Sequence, residues 1–315
     1  MGDKMKVTVV GGGNAAFGFS AALKLRGFKV ALLEAPEFGA NIQPVLDRGG
    51  IQIRGIVGEG LAELDTVTTD APEALSGASI AFVCVPAYGQ RRLAEFVAPH
   101  LVDDQIVLLM PGNCGGALAF VELLRQNGTD QRPVVAEASS FLLACKKEGS
   151  AGVWVRGIKQ GLSVAAYPGK RTAWVVKALR ETFDEFEAVS HVLETSLTNA
   201  NHVVHPPGIL LNLGLVELSE KDWSFFFQGL SPAVCRAMEA IDRERLDILV
   251  QLDLPPTTAL EWMLRFYGHQ GLKGETLYEA LSTTPIHGAS KGPRTIDHRY
   301  ITEDIPFGLV PMASI

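Results

Sequence analysis

The sequence predicts a chain in two parts: an α/β domain built on a doubly wound, mostly parallel sheet, followed by a mainly α-helical domain. Three observations carry this reading. A β-branched run at residues 6–10 ends abruptly in three glycines and a helical pattern; strand and helix patterns then alternate to about residue 140; and strand signals fade beyond about residue 190, where helical periodicity takes over. The predicted domains are residues 1–190 and 191–315.

In the first part, Lys6-Val7-Thr8-Val9-Val10 reads as a buried strand and Gly11-Gly12-Gly13-Asn14-Ala15-Ala16 as a tight turn leading into a helix that Gly27 closes. Residues 29–33 form a second buried strand, with Glu34 at its end. Strand, glycine turn, helix, strand and acid in this order form a Rossmann-type dinucleotide-binding unit. Gly11 permits the turn, Gly13 lets backbone approach a pyrophosphate, and Ala16 allows helix and strand to pack closely. The free N–H groups of Gly12, Gly13, Asn14 and Ala15 at the helix start would hold the phosphates. Glu34 lies 21 residues after Gly13, where a carboxylate binds ribose hydroxyls and repels a 2′-phosphate, and no Arg follows it closely. NAD is therefore favoured over NADP.

Further buried strands are predicted at residues 79–85, 105–110 and 133–138, separated by helices around residues 90–99 and 116–126. Ligands of such sheets sit beyond the carboxyl ends of the strands, so Pro86 and the 112–115 turn are candidates to line the cofactor site. Residues 141–167, broken by glycines, read as antiparallel strands added to the sheet edge, with a helix over 171–183.

Composition excludes several classes. Twenty-eight basic against 35 acidic residues give a net charge of −7 without long runs of one sign, so nucleic acid and anionic membranes are not the principal partners. The cysteines at 84, 114, 145 and 235 form no CxxC pair, which suggests neither a metal site nor a disulfide framework and suits a cytoplasmic protein. A hydrophobic fraction of 47% raises the question of a membrane span, and residues 195–216 carry no charge. Asn199, Asn201, His202, His205, Pro206, Pro207 and Asn212 make that stretch too polar to cross a bilayer.

As one helix, the 195–216 stretch would place Thr198, Asn201 or His202, and His205 on one face, and Pro206 predicts a kink or break at His205. An imidazole among uncharged polar groups suits proton transfer near neutral pH, although a histidine on an apolar helix is more often a packed core residue. Residues 293–311 mix charges with apolar residues without clear period and are predicted as a long functional loop. Within it, Arg299 can bind a carboxylate in bidentate fashion and Asp304 can orient an imidazole.

Gly11-Gly12-Gly13-Asn14, then Thr195-Ser196-Leu197-Thr198-Asn199 leading to His205-Pro206, then Gly292-Pro293, Arg299-Tyr300, Glu303-Asp304 and Gly308-Leu309-Val310-Pro311, resemble the octopine/nopaline (opine) dehydrogenase family. The resemblance covers essentially the whole chain and is nearest to bacterial opine dehydrogenases acting on neutral L-amino acids. It implies a Rossmann domain with a helical second domain of the 6-phosphogluconate-dehydrogenase-like kind. The implied activity is that of an NAD(P)-dependent oxidoreductase acting on CH–NH groups, which condenses an L-amino acid with a 2-keto acid such as pyruvate, using NADH, and runs in reverse. It implies His205 and Asp304 as catalytic residues, Arg299 as the substrate-binding residue, and a homodimer. Asn201, one turn before His205, is a candidate substrate contact or a helix-packing residue. Family members continue past Leu309-Val310-Pro311 in a further helical tail, which the sequence to Ile315 lacks. Two other readings use the same architecture: a reductase of simple keto or hydroxy acids, and a catalytically silent NAD(H)-binding protein.

Overall fold

A computed structural model describes residues 4–128, 130–220, 222–288 and 290–315. Chain contacts divide it into two units, Met1–Thr195 and Ser196–Ile315.

Among its described residues the first unit contains twelve strands: β1 (Lys6–Val10), β2 (Lys29–Leu33), β3 (Ile51–Gly55), β4 (Gly60–Ala62), β5 (Thr66–Thr68), β6 (Ile80–Val83), β7 (Ile106–Leu109), β8 (Val134–Ala138), β9 (Leu143–Glu148), β10 (Gly152–Ile158), β11 (Leu162–Tyr167) and β12 (Phe186–Ala188). The main sheet runs β12-β11-β8-β7-β6-β1-β2-β5. Its stretch from β5 to β8 is parallel throughout, and its order β5-β2-β1-β6-β7-β8 is the 3-2-1-4-5-6 order of dinucleotide-binding sheets. Between β1 and β6 the winding reverses. Strands β1, β6 and β7 are almost wholly buried apolar runs, as strands covered on both faces require.

Residues 141–167 depart from the reading as an edge extension. Only β11 joins the main sheet, antiparallel to β8, while β9 and β10 pair with β3 and β4 in a second sheet of order β4-β3-β10-β9. The reason lies in α1 (Asn14–Leu25), which is buried continuously from Ala16 to Leu23. A helix apolar all round needs cover on more than one side. The main sheet packs against it through β1 and β2, and the second sheet through β3, β4, β9 and β10.

Its described residues also form the helices α2 (Gln43–Arg48), α3 (Ala71–Leu75), α4 (Ala87–Val97), α5 (Gly116–Gln126) and α6 (Thr172–Arg180). A short helix, α7 (Val192–Leu197), spans the division between the units.

The second unit is helical, with α8 (Asn201–Leu210), α9 (Leu213–Leu218), α10 (Pro232–Gln251), α11 (Ala259–Tyr267), α12 (Leu277–Ser282), α13 (Arg299–Thr302) and α14 (Val310–Met312). The uncharged 195–216 stretch is therefore not one helix, and Thr198 lies in the break between α7 and α8 rather than on the face of His205. Two groups make that break. Buried Arg245 donates to the Leu197 carbonyl at 2.8 Å, and Asn199 Oδ1 accepts the Asn201 N–H at 3.2 Å, a local turn that competes with helix. No break falls at His205, since α8 runs on through Pro206 and Pro207. Burial of His202, Val203, Val204, Pro206, Pro207, Gly208 and Ile209 holds the helix together despite the two missing N–H donors. Residues 293–311 are likewise not an open loop. His298 caps α13, and residues 305–309 form a π-helical turn that leads into α14. Among the described residues, no helix is long and apolar enough to cross a membrane.

Candidate active site

In the first unit the glycine turn closes where the winding of the sheet reverses. Gly11 has φ +123°, and a Cβ there would lie 2.9 Å from the Cys84 carbonyl oxygen, so the β1 turn and the end of β6 approach as only glycine allows. Gly13 and Asn14 are exposed at the start of α1, whereas Gly11 and Gly12 are buried. Ala15 is half-buried and Ala16, in the first turn of α1, is buried. Pro86 directly precedes α4 in extended conformation, beyond the carboxyl end of β6.

Glu34 follows β2 and turns back toward this loop. Its carboxylate accepts from the Ala35 N–H at 3.0 Å and from Asn41 Nδ2 at 3.2 Å. A Cβ on Gly12 would lie 2.5 Å from Glu34 Oε2. Burial raises the Glu34 pKa, and the hydrogen bonds from Asn41, Ala35 and Gly12 oppose that shift. An open glycine cradle on a helix N-terminus, with a carboxylate at its rim, fits the pyrophosphate and the adenosine ribose of a dinucleotide. Asn41 is a partner that sequence reasoning missed, because it lies in a short helical turn after Glu34 with no motif of its own.

In the second unit the structure brings together His205 from α8 and the segment carrying Arg299 and Asp304. His205 Nδ1 lies 2.9 Å from Asp304 Oδ2, 99 residues away in sequence. An ionised carboxylate can only accept, so Nδ1 carries the hydrogen and Nε2 is the nitrogen available for proton exchange. Burial works to raise the Asp304 pKa, but the charge and hydrogen bond of His205, with help from His202 and Arg299, hold it below the usual carboxylate value. The His205 ring stacks on Tyr300 with centroids 3.7 Å apart and planes 14° apart, and Phe225 meets it edge-on. Asp304 thus fixes one edge of the imidazole and Tyr300 fixes its plane.

A second histidine, which the sequence left beside Asn201 as one of two face residues, is fully buried here. His202 Nε2 lies 3.3 Å from Asn199 Nδ2 and 3.8 Å from Asp304 Oδ1. Burial pushes its pKa down to about 4, so it is neutral at pH 7. A Cβ on Gly308 would come within 2.5 Å of the His202 ring, so the π-helical turn reaches α8 only with glycine there. Arg299 opens α13 and pairs with Glu303 Oε2 at 3.1 Å; the arginine side chain is 43% exposed and the glutamate 2%. Glu303, quoted only as part of a motif, therefore aims the guanidinium while leaving it accessible. Asn201 is half-buried one turn before His205.

The first unit thus carries a parallel sheet with a glycine cradle and an acidic rim, and the second a histidine–carboxylate pair beside an accessible arginine. Residues 188–315 match the model of a family described as "NAD/NADP octopine/nopaline dehydrogenase, alpha-helical domain". The chain is 33% identical over 307 residues to an opine dehydrogenase of Arthrobacter sp. (strain 1C), covering 98% of this chain and 84% of that one. It is 26% identical to the octopine dehydrogenase of Pecten maximus, covering 97% and 84%. A solved octopine dehydrogenase in complex with NADH and agmatine shares the fold with a TM-score of 0.75 at 22% identity, covering 98% of this chain and 83% of that one. The chain belongs to the octopine/nopaline (opine) dehydrogenase family.

Proposed function

We propose that this protein catalyses the NADH-dependent reductive condensation of the amino group of an L-amino acid with a 2-keto acid of the pyruvate class, and the reverse oxidation. The observation that carries the reading is the His205–Asp304 contact at 2.9 Å, with Arg299 presented five residues before Asp304. The 33% identity to a bacterial opine dehydrogenase supports the same chemistry. Gly11 to Ala16 and Glu34 bind NADH, with Pro86 beside them, and the bound cofactor supplies a hydride.

Arg299 holds the keto-acid carboxylate through paired N–H donors. Condensation of amine and carbonyl expels water and leaves an imine. His205 exchanges protons through Nε2 during these steps, while Asp304 keeps the tautomer and stabilises the protonated ring. Reduction at the imine carbon and proton delivery to nitrogen give a secondary amine that bears both carboxylates. Asn201 contacts the substrate.

We read the amino acid as neutral: the cations nearest Arg299 in the chain, Lys291 and Arg294, both pair with Asp222 at the surface. Residues 1–190 act as the cofactor domain and residues 191–315 as the catalytic domain of a cytoplasmic homodimer. A panel of amino acids with pyruvate and NADH, read by mass detection, tests the reaction. An N-(carboxyalkyl) amino acid is the expected product. Lactate formed without amino acid would identify a simple keto-acid reductase, and NADH binding without any turnover would identify a silent binding protein.

A further inference from the structure

Strand β9, part of the second sheet, crosses the start of α1. The Lys147 N–H donates to Asn14 Oδ1 at 2.8 Å, and the Cys145 thiol donates to the Asn14 carbonyl at 3.1 Å. These bonds anchor the first residue of the phosphate-facing helix. The Lys147 side chain then lies over Phe17, with Nζ 3.8 Å from the ring centroid, and ends 3.2 Å from the Gly12 carbonyl oxygen.

Gly12 is also the residue that Glu34 approaches, so a cation and a carboxylate flank one position of the glycine turn. Burial lowers the Lys147 pKa and the Glu34 charge opposes that shift. An ammonium has three donors, and the Gly12 carbonyl engages one of them. Dinucleotides bring two phosphate charges and the adenosine ribose to such a turn.

We infer that Lys147 is a further cofactor-binding residue, its ammonium meeting the anionic adenosine half of the dinucleotide at the Gly12–Glu34 rim. The inference rests on the NAD(H) reading of the glycine turn. It gives the second sheet a role: β9 fixes Asn14 by its backbone and brings a charge to the cofactor by its side chain. A cation beside Glu34 also softens the rejection of a 2′-phosphate, so NADPH binds measurably, though more weakly than NADH.

The test is titration of the full-length protein with NADH and with NADPH, followed by cofactor fluorescence at low and moderate salt. Lys147→Met keeps the stem over Phe17 and the backbone bond to Asn14, and should remain folded, with its unfolding midpoint lowered slightly by loss of the ammonium contacts with Phe17 and Gly12. The variant should bind NADH about tenfold more weakly. It should lose a larger factor for NADPH and show a shallower dependence on salt, and Lys147→Arg should recover most of the affinity. If Lys147→Met binds NADH with wild-type affinity and wild-type salt dependence, Lys147 is a packing residue and the inference falls while the cofactor reading stands. A wild-type protein that binds neither cofactor overturns both.

Discussion

His205 and Asp304, one on α8 and the other at the head of a π-helical turn, meet through Nδ1 and Oδ2 at 2.9 Å, and the Asp304 side chain is 6% exposed. A buried carboxylate needs such a partner, and the imidazole gains from it a fixed tautomer. Asp304→Asn retains the shape and removes the charge. Turnover of that variant should fall by on the order of 100-fold or more with little change in NADH affinity, measured by steady-state kinetics beside a fluorescence titration.

His202 makes the fold sensitive to acid. Its folded pKa of about 4 lies below the ordinary histidine value of 6.5, so the unfolded chain takes up a proton that the folded chain refuses. The cost is absent above about pH 6.5 and grows as the pH falls toward 4, reaching on the order of 3 kcal/mol. Unfolding midpoints should therefore drop across that window, and His202→Gln should flatten the curve. Asp304, with its lowered pKa, adds a separate loss of stability only at still lower pH, where it takes up a proton.

Gly308 marks the closest approach of the π-helical turn to α8. Gly308→Ala would place a methyl 2.5 Å from the buried His202 ring, whose surroundings leave it little room to move. A destabilisation of about 1–3 kcal/mol is expected, with a fall in turnover because the displaced turn carries Asp304. Thermal unfolding and kinetics on the same preparation check both.

Glu34→Gln keeps the bond to Asn41 possible but removes the charge at the rim of the glycine turn, where the proposed function seats the ribose. NADH should bind about tenfold more weakly, and the preference over NADPH should narrow. Arg299→Gln, by contrast, should raise the KM for the keto acid and leave NADH affinity unchanged, because Arg299 lies on α13 in the second unit.

The nucleotide-binding half was legible because its signal is local: strand, glycine turn, helix, strand and Glu34 fall within one short run. The second sheet was not, because β3 and β10 pair across about a hundred residues and each is too short to announce a partner. Lys147 was hidden for the same reason. His205, Arg299 and Asp304 were reached through residue chemistry and family resemblance, since no spacing rule links positions 99 residues apart. Pro206 and Pro207 do not break α8, where burial outweighs two lost hydrogen bonds, and the break fell instead where Asn199 and Arg245 bind the backbone.

The central claim, that His205 exchanges protons in the NADH-dependent condensation of amino acid and keto acid, is tested most directly by His205→Asn. Turnover with pyruvate, amino acid and NADH should fall by on the order of 100-fold or more while the NADH dissociation constant stays at the wild-type value. Turnover that survives the substitution would contradict the account.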